Sequence, residues 1–314
     1  MRPLHLWLLL TLPFAFVLLG CRTRSVSDDA AASSLDDAGT ADAPFVFADA
    51  GSFDAGPTPE CRAVDVLFVI DDSASMADQQ AALIASFDGF VAGTRERLAN
   101  ALDFHVGVVS TDDYAGNEAG CREIGDLVTQ TGGIESSDRA CGPFGSGARY
   151  LDNLDTQLAS RFACIAQLGV GGNDDERVAR ALLNAIQPDR PCNAGFLRPD
   201  ALLVVVIITD EDDLRDGCDG SSGFETCQSY GSGGLPDDWF AELSSVRDPA
   251  SVVVLSLIAR RGDNPCGAVP AARILGFTNR FGDNGFLGDV CASSYDEFFT
   301  QSLPVIATAC ENLI

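Results

Sequence analysis

The chain has 314 residues, and its 46 acidic side chains against 20 basic ones give a formal net charge of −26 and a pI near 4.1. Such a surface repels nucleic acid and anionic headgroups, so neither is expected as a partner. No lysine occurs anywhere, which excludes a Gly-Lys-Ser phosphate loop and speaks against phosphotransfer sites that rely on a lysine.

In chain order, residues 1–20 join a short basic start, Arg2, to an apolar stretch over 6–19, the pattern of a secretory signal peptide. The stretch is too short for a comfortable membrane span. It ends in Leu18-Leu19-Gly20-Cys21, which resembles the lipobox of bacterial lipoproteins. That resemblance implies cleavage before Cys21, acylation of Cys21 and a lipid anchor in the bacterial cell envelope. Arg22 in place of an aspartate favours the outer membrane over the inner. Cleavage removes one arginine and leaves 19 Arg against 46 acids, a net charge of −27.

Residues 21–60 hold the lipidated cysteine and a linker of little but Ala, Asp, Ser, Gly and Pro, with Asp-Ala-Gly recurring at Asp37, Asp49 and Asp54. This composition cannot bury enough apolar surface to fold. As a random coil it spans about 35 Å, enough to lift the remainder of the chain off the bilayer. Residues 61–314 form one domain long enough for a sizeable core.

Within that domain, residues 64–70, 104–109, 202–208 and 252–258 are near-continuous apolar runs, as expected of strands buried on both faces. Between them, Leu83, Phe87, Phe90, Val91, Thr94 and Leu98 share one helical stripe, and Val178, Ala181, Leu182, Ala185 and Ile186 another. Trp239, Phe240, Leu243 and Val246 come after Pro236, which suits a first helical turn. Ser294 and Glu297 read as a capping box opening a last helix, which Pro304 is expected to kink. Alternation of strand and helix argues for an α/β fold with a doubly wound, mostly parallel sheet and helices on both faces. His105 falls on the second run and reads as structural.

Residues 112–150, 211–235 and 260–292 are Gly-rich, longer than ordinary connections, and carry most of the cysteines. They read as loop insertions, the first two surrounding the carboxyl ends of the second and fourth strands. The ten cysteines after Cys21 form an even set in an exported chain, which points to disulfides. Neighbours in sequence suggest Cys218 with Cys227, Cys266 with Cys291, Cys121 with Cys141, Cys164 with Cys192, and Cys61 with Cys310. The loop from Asp210 to Asp219 is rich in carboxylates but misses the EF-hand spacing at Leu214.

The chemistry gathers at Asp71-Asp72-Ser73-Ala74-Ser75, directly after the first strand. A loop leaving the carboxyl end of a buried parallel strand is where such sheets bind ligands. One aspartate and two serines at two-residue spacing offer hard oxygens suited to Mg²⁺, Mn²⁺ or Ca²⁺. Asp71-x-Ser73-x-Ser75 behind its strand, with Thr209-Asp210 behind the run at 202–208, resembles the metal-ion-dependent adhesion site of von Willebrand factor type A domains, over residues 62–314. The resemblance implies a Rossmann-like fold and a cation, Mg²⁺ or else Mn²⁺ or Ca²⁺. Asp71, Ser73, Ser75 and Asp210 would hold it, Asp210 directly or through water. It also implies a protein partner that offers a carboxylate to the metal, hence adhesion or another protein–protein interaction and no catalysis. The family's threonine is missing: Leu168-Gly169-Val170-Gly171-Gly172 places Val170 there, which cannot ligate, and leaves Thr111, Asp112, Asp174 or Asp175 to compensate.

Two other classes stay open. In a metal-free structural envelope protein, Asp71 and Ser73 would merely cap the first helix. A metal-dependent phosphotransfer-type enzyme would use the strand-end aspartate but lacks its lysine, and a serine hydrolase would need a Gly-x-Ser-x-Gly partner for His105, which is absent.

Overall fold

The computed structural model describes residues 62–98, 103–173, 175–213 and 231–313. The expected signal peptide, Cys21 and the expected linker fall outside these residues. The described residues form, in order, β1 (Ala63–Ile70), α1 (Ala77–Arg97), β2 (Asp103–Ser110), β3 (Leu151–Asp152), α2 (Leu158–Ala166), α3 (Val178–Ala185), β4 (Leu202–Ile208), α4 (Pro236–Val246), β5 (Val252–Ile258), α5 (Ala272–Asn279), β6 (Gly285–Asp289) and α6 (Asp296–Glu311).

The strands form one six-stranded sheet in the order β3-β2-β1-β4-β5-β6. All neighbours run parallel except β3, which pairs antiparallel with β2. The four apolar runs of the sequence are the four central strands. Every residue of β4 and β5 is buried, because a central parallel strand has a covered face on either side.

Alternate side chains of β1 enter two different cores. Val64, Val66, Phe68 and Ile70 pack with Leu83, Phe87 and Phe90 of α1, Phe162 and Ile165 of α2, and Phe299, Leu303 and Ile306 of α6. Leu67 and Val69 pack with Ala181 and Leu182 of α3, Trp239 and Leu243 of α4, and Ile274 and Phe277 of α5. The stripe read along the first helix is thus its buried face. Burying a Phe or Leu side chain contributes roughly 1.5–3 kcal/mol, so these two layers hold the sheet between them.

Inside β1 the sequence places an acid, Asp65, which is fully buried. Arg198 answers it, donating from its backbone N at 2.7 Å, from Nε at 2.8 Å and from Nη2 at 2.6 Å. His105 on β2 sits 3.5 Å from the same carboxylate and bonds the Phe196 carbonyl through Nδ1 at 2.8 Å. His105 therefore has a structural place.

Three expectations need correction. Residues 260–292 are not simply an insertion: they contain α5 and β6. Glycines disguise β6, yet Gly288 is demanded by packing, since a Cβ there would come within 2.3 Å of Phe298 and 2.8 Å of Leu257. The capping box at Ser294 does not form with Glu297. Ser294 bonds Asp296 instead, and α6 begins at Asp296 after Tyr295 without a side-chain cap. Pro236 does open α4 at its first turn.

The third correction concerns disulfides. Cys266–Cys291 forms as expected, but Cys121, Cys141, Cys164 and Cys192 exchange partners, giving Cys121–Cys192 and Cys141–Cys164. The two ends of the 112–150 segment are held by different parts of the fold. Asn193 accepts from Leu127 N and donates to the Gly125 carbonyl, which seats the first end beside Cys192. Ser137 N bonds the Gln167 carbonyl and Ser137 Oγ the Cys164 carbonyl, which seats the second end on α2. Sequence proximity lost to this folding back. Cys310 is buried and disulfide-bonded; its expected partner Cys61, and the pair Cys218 and Cys227, lie outside the described residues.

Candidate metal centre

The register of the sheet brings three loops to one point. Ile70 pairs with Ser110 on one side and Ile208 on the other, so β1, β2 and β4 end level. Asp71 N donates to the Ile208 carbonyl at 3.0 Å and Thr111 N to the Ile70 carbonyl at 3.2 Å, extending the ladders one step into the loops. The crevice at the carboxyl ends of parallel strands is thereby lined by residues 71–75, 110–113 and 209–213.

Asp71 is wholly buried. Its Oδ1 accepts from Ser73 N at 2.7 Å and its Oδ2 from the Thr209 hydroxyl at 2.6 Å. The carboxylate is thus aimed and cannot rotate away. Ser73 Oγ lies 3.4 Å from Ser75 Oγ, and Ser75 Oγ donates to Asp210 Oδ1 at 3.1 Å. The four residues singled out from sequence, Asp71, Ser73, Ser75 and Asp210, form one connected cluster. They do not cap the first helix: α1 starts at Ala77, after Met76, with no side-chain cap.

Around them the structure adds residues that motif reading missed. Gln80 clamps the loop from beneath, its amide nitrogen bonding the Asp71 carbonyl at 3.0 Å and the Gly169 carbonyl at 2.9 Å while its oxygen accepts from Gly169 N at 3.1 Å. Gly169 holds a left-handed φ of +92°, and a Cβ there would meet the Ile134 carbonyl at 2.2 Å. Val170, expected in place of a ligand, lines a groove with Ala77, Ala81 and Ile84 of α1. The chain instead brings Glu176 to the crevice from this segment. Glu176 is 2% exposed and faces Asp71, Asp72 and Thr111. Its only signal in the sequence was an acid just before an apolar helix, which also describes an ordinary first turn.

The expected substitutes for the threonine divide clearly. Asp112 is bound by Arg177 and by Asn173 N at 2.9 Å. Asp175 turns to Gly231 N at 2.7 Å, and Asp174 lies outside the described residues. Thr111 remains, 1% exposed and beside Glu176. Farther along the 209–213 loop, Asp212 accepts from Arg273 N and Ile274 N at the start of α5, and Asp213 from Ala179 N in α3. Both act as helix anchors.

The electrostatics are one-sided. Burial raises Asp71, with the Asp210 charge adding, against the bonds from Thr209 and Ser73. Burial, then Asp112 and Asp71, push Asp72 up to about 7 despite a 2.7 Å bond from Ser110. Burial and the Asp71 charge carry Glu176 well above the usual range, and burial raises Asp210. The neighbouring arginine, Arg177, is spent on Asp112 and Asp113. Among the described residues no three His, Cys, Asp or Glu side chains converge to hold an ion by themselves; what converges here is carboxylate and hydroxyl together. Two buried oxygens in this crevice, Glu176 Oε2 and Thr111 Oγ1, face each other without a well-formed hydrogen bond. Crowded acids with unsatisfied oxygens and hydroxyls fit a hard divalent cation, which would relieve the repulsion and accept the free lone pairs.

No family model matches the chain, and no curated protein matches it. Among solved structures it is similar to proximal thread matrix protein 1 from the mussel byssus, at 12% identity and a TM-score of 0.39 over 80% of this chain and 49% of that one. The chain spans about half the length of that protein. A likeness this distant carries no inference about fold or function.

Proposed function

We propose that this is a lipid-anchored protein of the bacterial cell envelope whose domain has the doubly wound fold of von Willebrand factor type A domains and uses a divalent cation to engage a protein partner. Asp71, Ser73, Ser75 and Asp210 hold the ion, Mg²⁺ or else Mn²⁺ or Ca²⁺. Bound there, it supplies an electron-poor centre for a carboxylate of the partner, because neutral hydroxyls leave part of its charge uncompensated. Cys21 carries the lipid, favouring the outer membrane, and residues 22–60 are the tether. The function is binding and adhesion, with no reaction assigned.

The observation that supports this reading is the joining of Ser73, Ser75 and Asp210 beside a fully buried Asp71, across loops far apart in sequence. Calorimetric titration of Mg²⁺, Mn²⁺ and Ca²⁺ into the full chain, beside an Asp71→Ala, Ser73→Ala double variant, tests it. Saturable binding of one ion that the variant loses supports the reading; no binding, or binding the variant keeps, defeats it.

A second reading rests on one specific fact: both oxygens of Asp71 are already satisfied by Ser73 N and Thr209. On that reading the loop is a metal-free brace in a structural envelope protein. The same titration separates the two.

A further inference from the structure

We propose that Glu176 is a direct ligand of the cation, an acid supplied from inside the chain where the resembled family places a threonine, with the Thr111 hydroxyl beside it. This rests on the cation reading above and adds a residue and a charge to it.

Glu176 is buried against the Thr111 hydroxyl and Asp71, and its Oε2 and Thr111 Oγ1 are left without a well-formed hydrogen bond. The neighbours of the carboxylate are two more acids, Asp71 and Asp72. Burying an acid among acids costs several kcal/mol unless a cation joins them. Neither helix capping nor ion pairing takes up the side chain. It does not cap α3, because Asp213 bonds the Ala179 N–H from the other side of the crevice. It forms no ion pair with Arg177 next to it, which reaches Asp112 and Asp113. The backbone is held on both flanks, by Gly172 N on the Asp72 carbonyl at 2.8 Å and by the Asp213 contact to α3, so the acid is presented and does not drift.

A carboxylate in place of a neutral hydroxyl, with Asp210 acting through water so that only Asp71 and Glu176 bring carboxylates to the ion, has two consequences. It raises the ligand charge count, which tightens divalent binding and keeps the set hard enough to disfavour zinc. It also compensates the ion from within, so an external carboxylate is drawn to it less strongly than to a site built from hydroxyls.

The test uses Mn²⁺ as probe on the full chain, reading affinity by electron paramagnetic resonance and inner-sphere water number by water-proton relaxation. Glu176→Gln keeps the shape and removes the charge; Thr111→Val and Ser73→Ala serve as companions. The expected result is about a tenfold or greater loss of Mn²⁺ affinity in Glu176→Gln, one additional bound water, and a stronger response of the bound ion to added acetate. Melting of the metal-free variant should be no lower than that of the parent, since an acid has left an acidic crevice. If Ser73→Ala weakens Mn²⁺ while Glu176→Gln leaves both affinity and water number unchanged, the cation site stands and the role of Glu176 falls. If the parent chain binds no Mn²⁺, or none of the three variants alters binding, both fall together.

Discussion

The Ser75 hydroxyl donates to Asp210 Oδ1 across 3.1 Å, joining two loops separated by 135 residues. Each partner orients the other, so their effects on a cation should not add. Ser75→Ala and Asp210→Asn are each expected to weaken Mg²⁺ about tenfold or more, and the double variant to lose less than the product, a coupling of about 0.5–3 kcal/mol. Calorimetry on the four proteins of the cycle measures it; strict additivity would mean that the two residues serve separate purposes.

A ligand that binds only the folded chain stabilises it by mass action. At free Mg²⁺ about 100 times its dissociation constant the gain is about 2.7 kcal/mol, equivalent to roughly 5–10 °C for a domain of this size. Scanning calorimetry with Mg²⁺ and then with excess chelator should show the rise and its reversal. A melting temperature indifferent to both would count against any cation.

Asp72 and Asp213 hold their protons to about 7 and about 6, burial being the main cause in each. An acid whose folded value lies above its unfolded one, near 3.8, binds more protons folded than unfolded in between, so stability falls as pH rises through that window. Denaturant unfolding of the metal-free chain should therefore show declining stability from about pH 4 to about pH 7, by up to about 1.4 kcal/mol per unit for each group. Cation affinity should run the other way and increase with pH, because Asp71, Asp210 and Glu176, the carboxylates offered to the metal, are also raised and protons compete for them.

The buried pair of Asp65 and Arg198 gives a control remote from the crevice. Six residues of strand, about 20 Å, separate Asp65 from Asp71. Arg198→Met strands a fully buried carboxylate and should cost about 3–5 kcal/mol, while adding Asp65→Leu should recover much of that loss. Neither change should alter Mg²⁺ affinity of the folded protein, as calorimetry would show.

Peptide mapping of the unreduced protein should recover Cys121 with Cys192 and Cys141 with Cys164. The two bridges close spans of 71 and 23 residues. On the chain-entropy account, removing the longer by paired Cys→Ala changes costs about 4 kcal/mol and the shorter about 3. Denaturant midpoints that reverse this order would mean that native contacts, not the length of chain closed, set the contribution.

The four central strands were legible because a strand covered on both faces needs an unbroken apolar run, as in residues 202–208, where all seven side chains are buried. The stripe through Leu83, Phe87 and Phe90 was legible for a similar reason: a helix with one buried face writes its period into the chain. Strand β6 escaped, since its Gly288 is chosen by the ring of Phe298 from another element, and a demand of that kind leaves no local period. Of the site, Asp71, Ser73 and Ser75 stood out because they share one loop.

Sequence alone thus determined which segments become the central sheet and which loop carries the clustered oxygens, since burial and spacing within a segment are local properties. Only the tertiary structure decided the strand order that sets Asp210 beside Ser75, the exchange of partners among Cys121, Cys141, Cys164 and Cys192, and the arrival of Glu176 instead of Val170 at Asp71. Each of these depends on where distant parts of the chain meet once both faces of the sheet are covered, and no local pattern records that meeting.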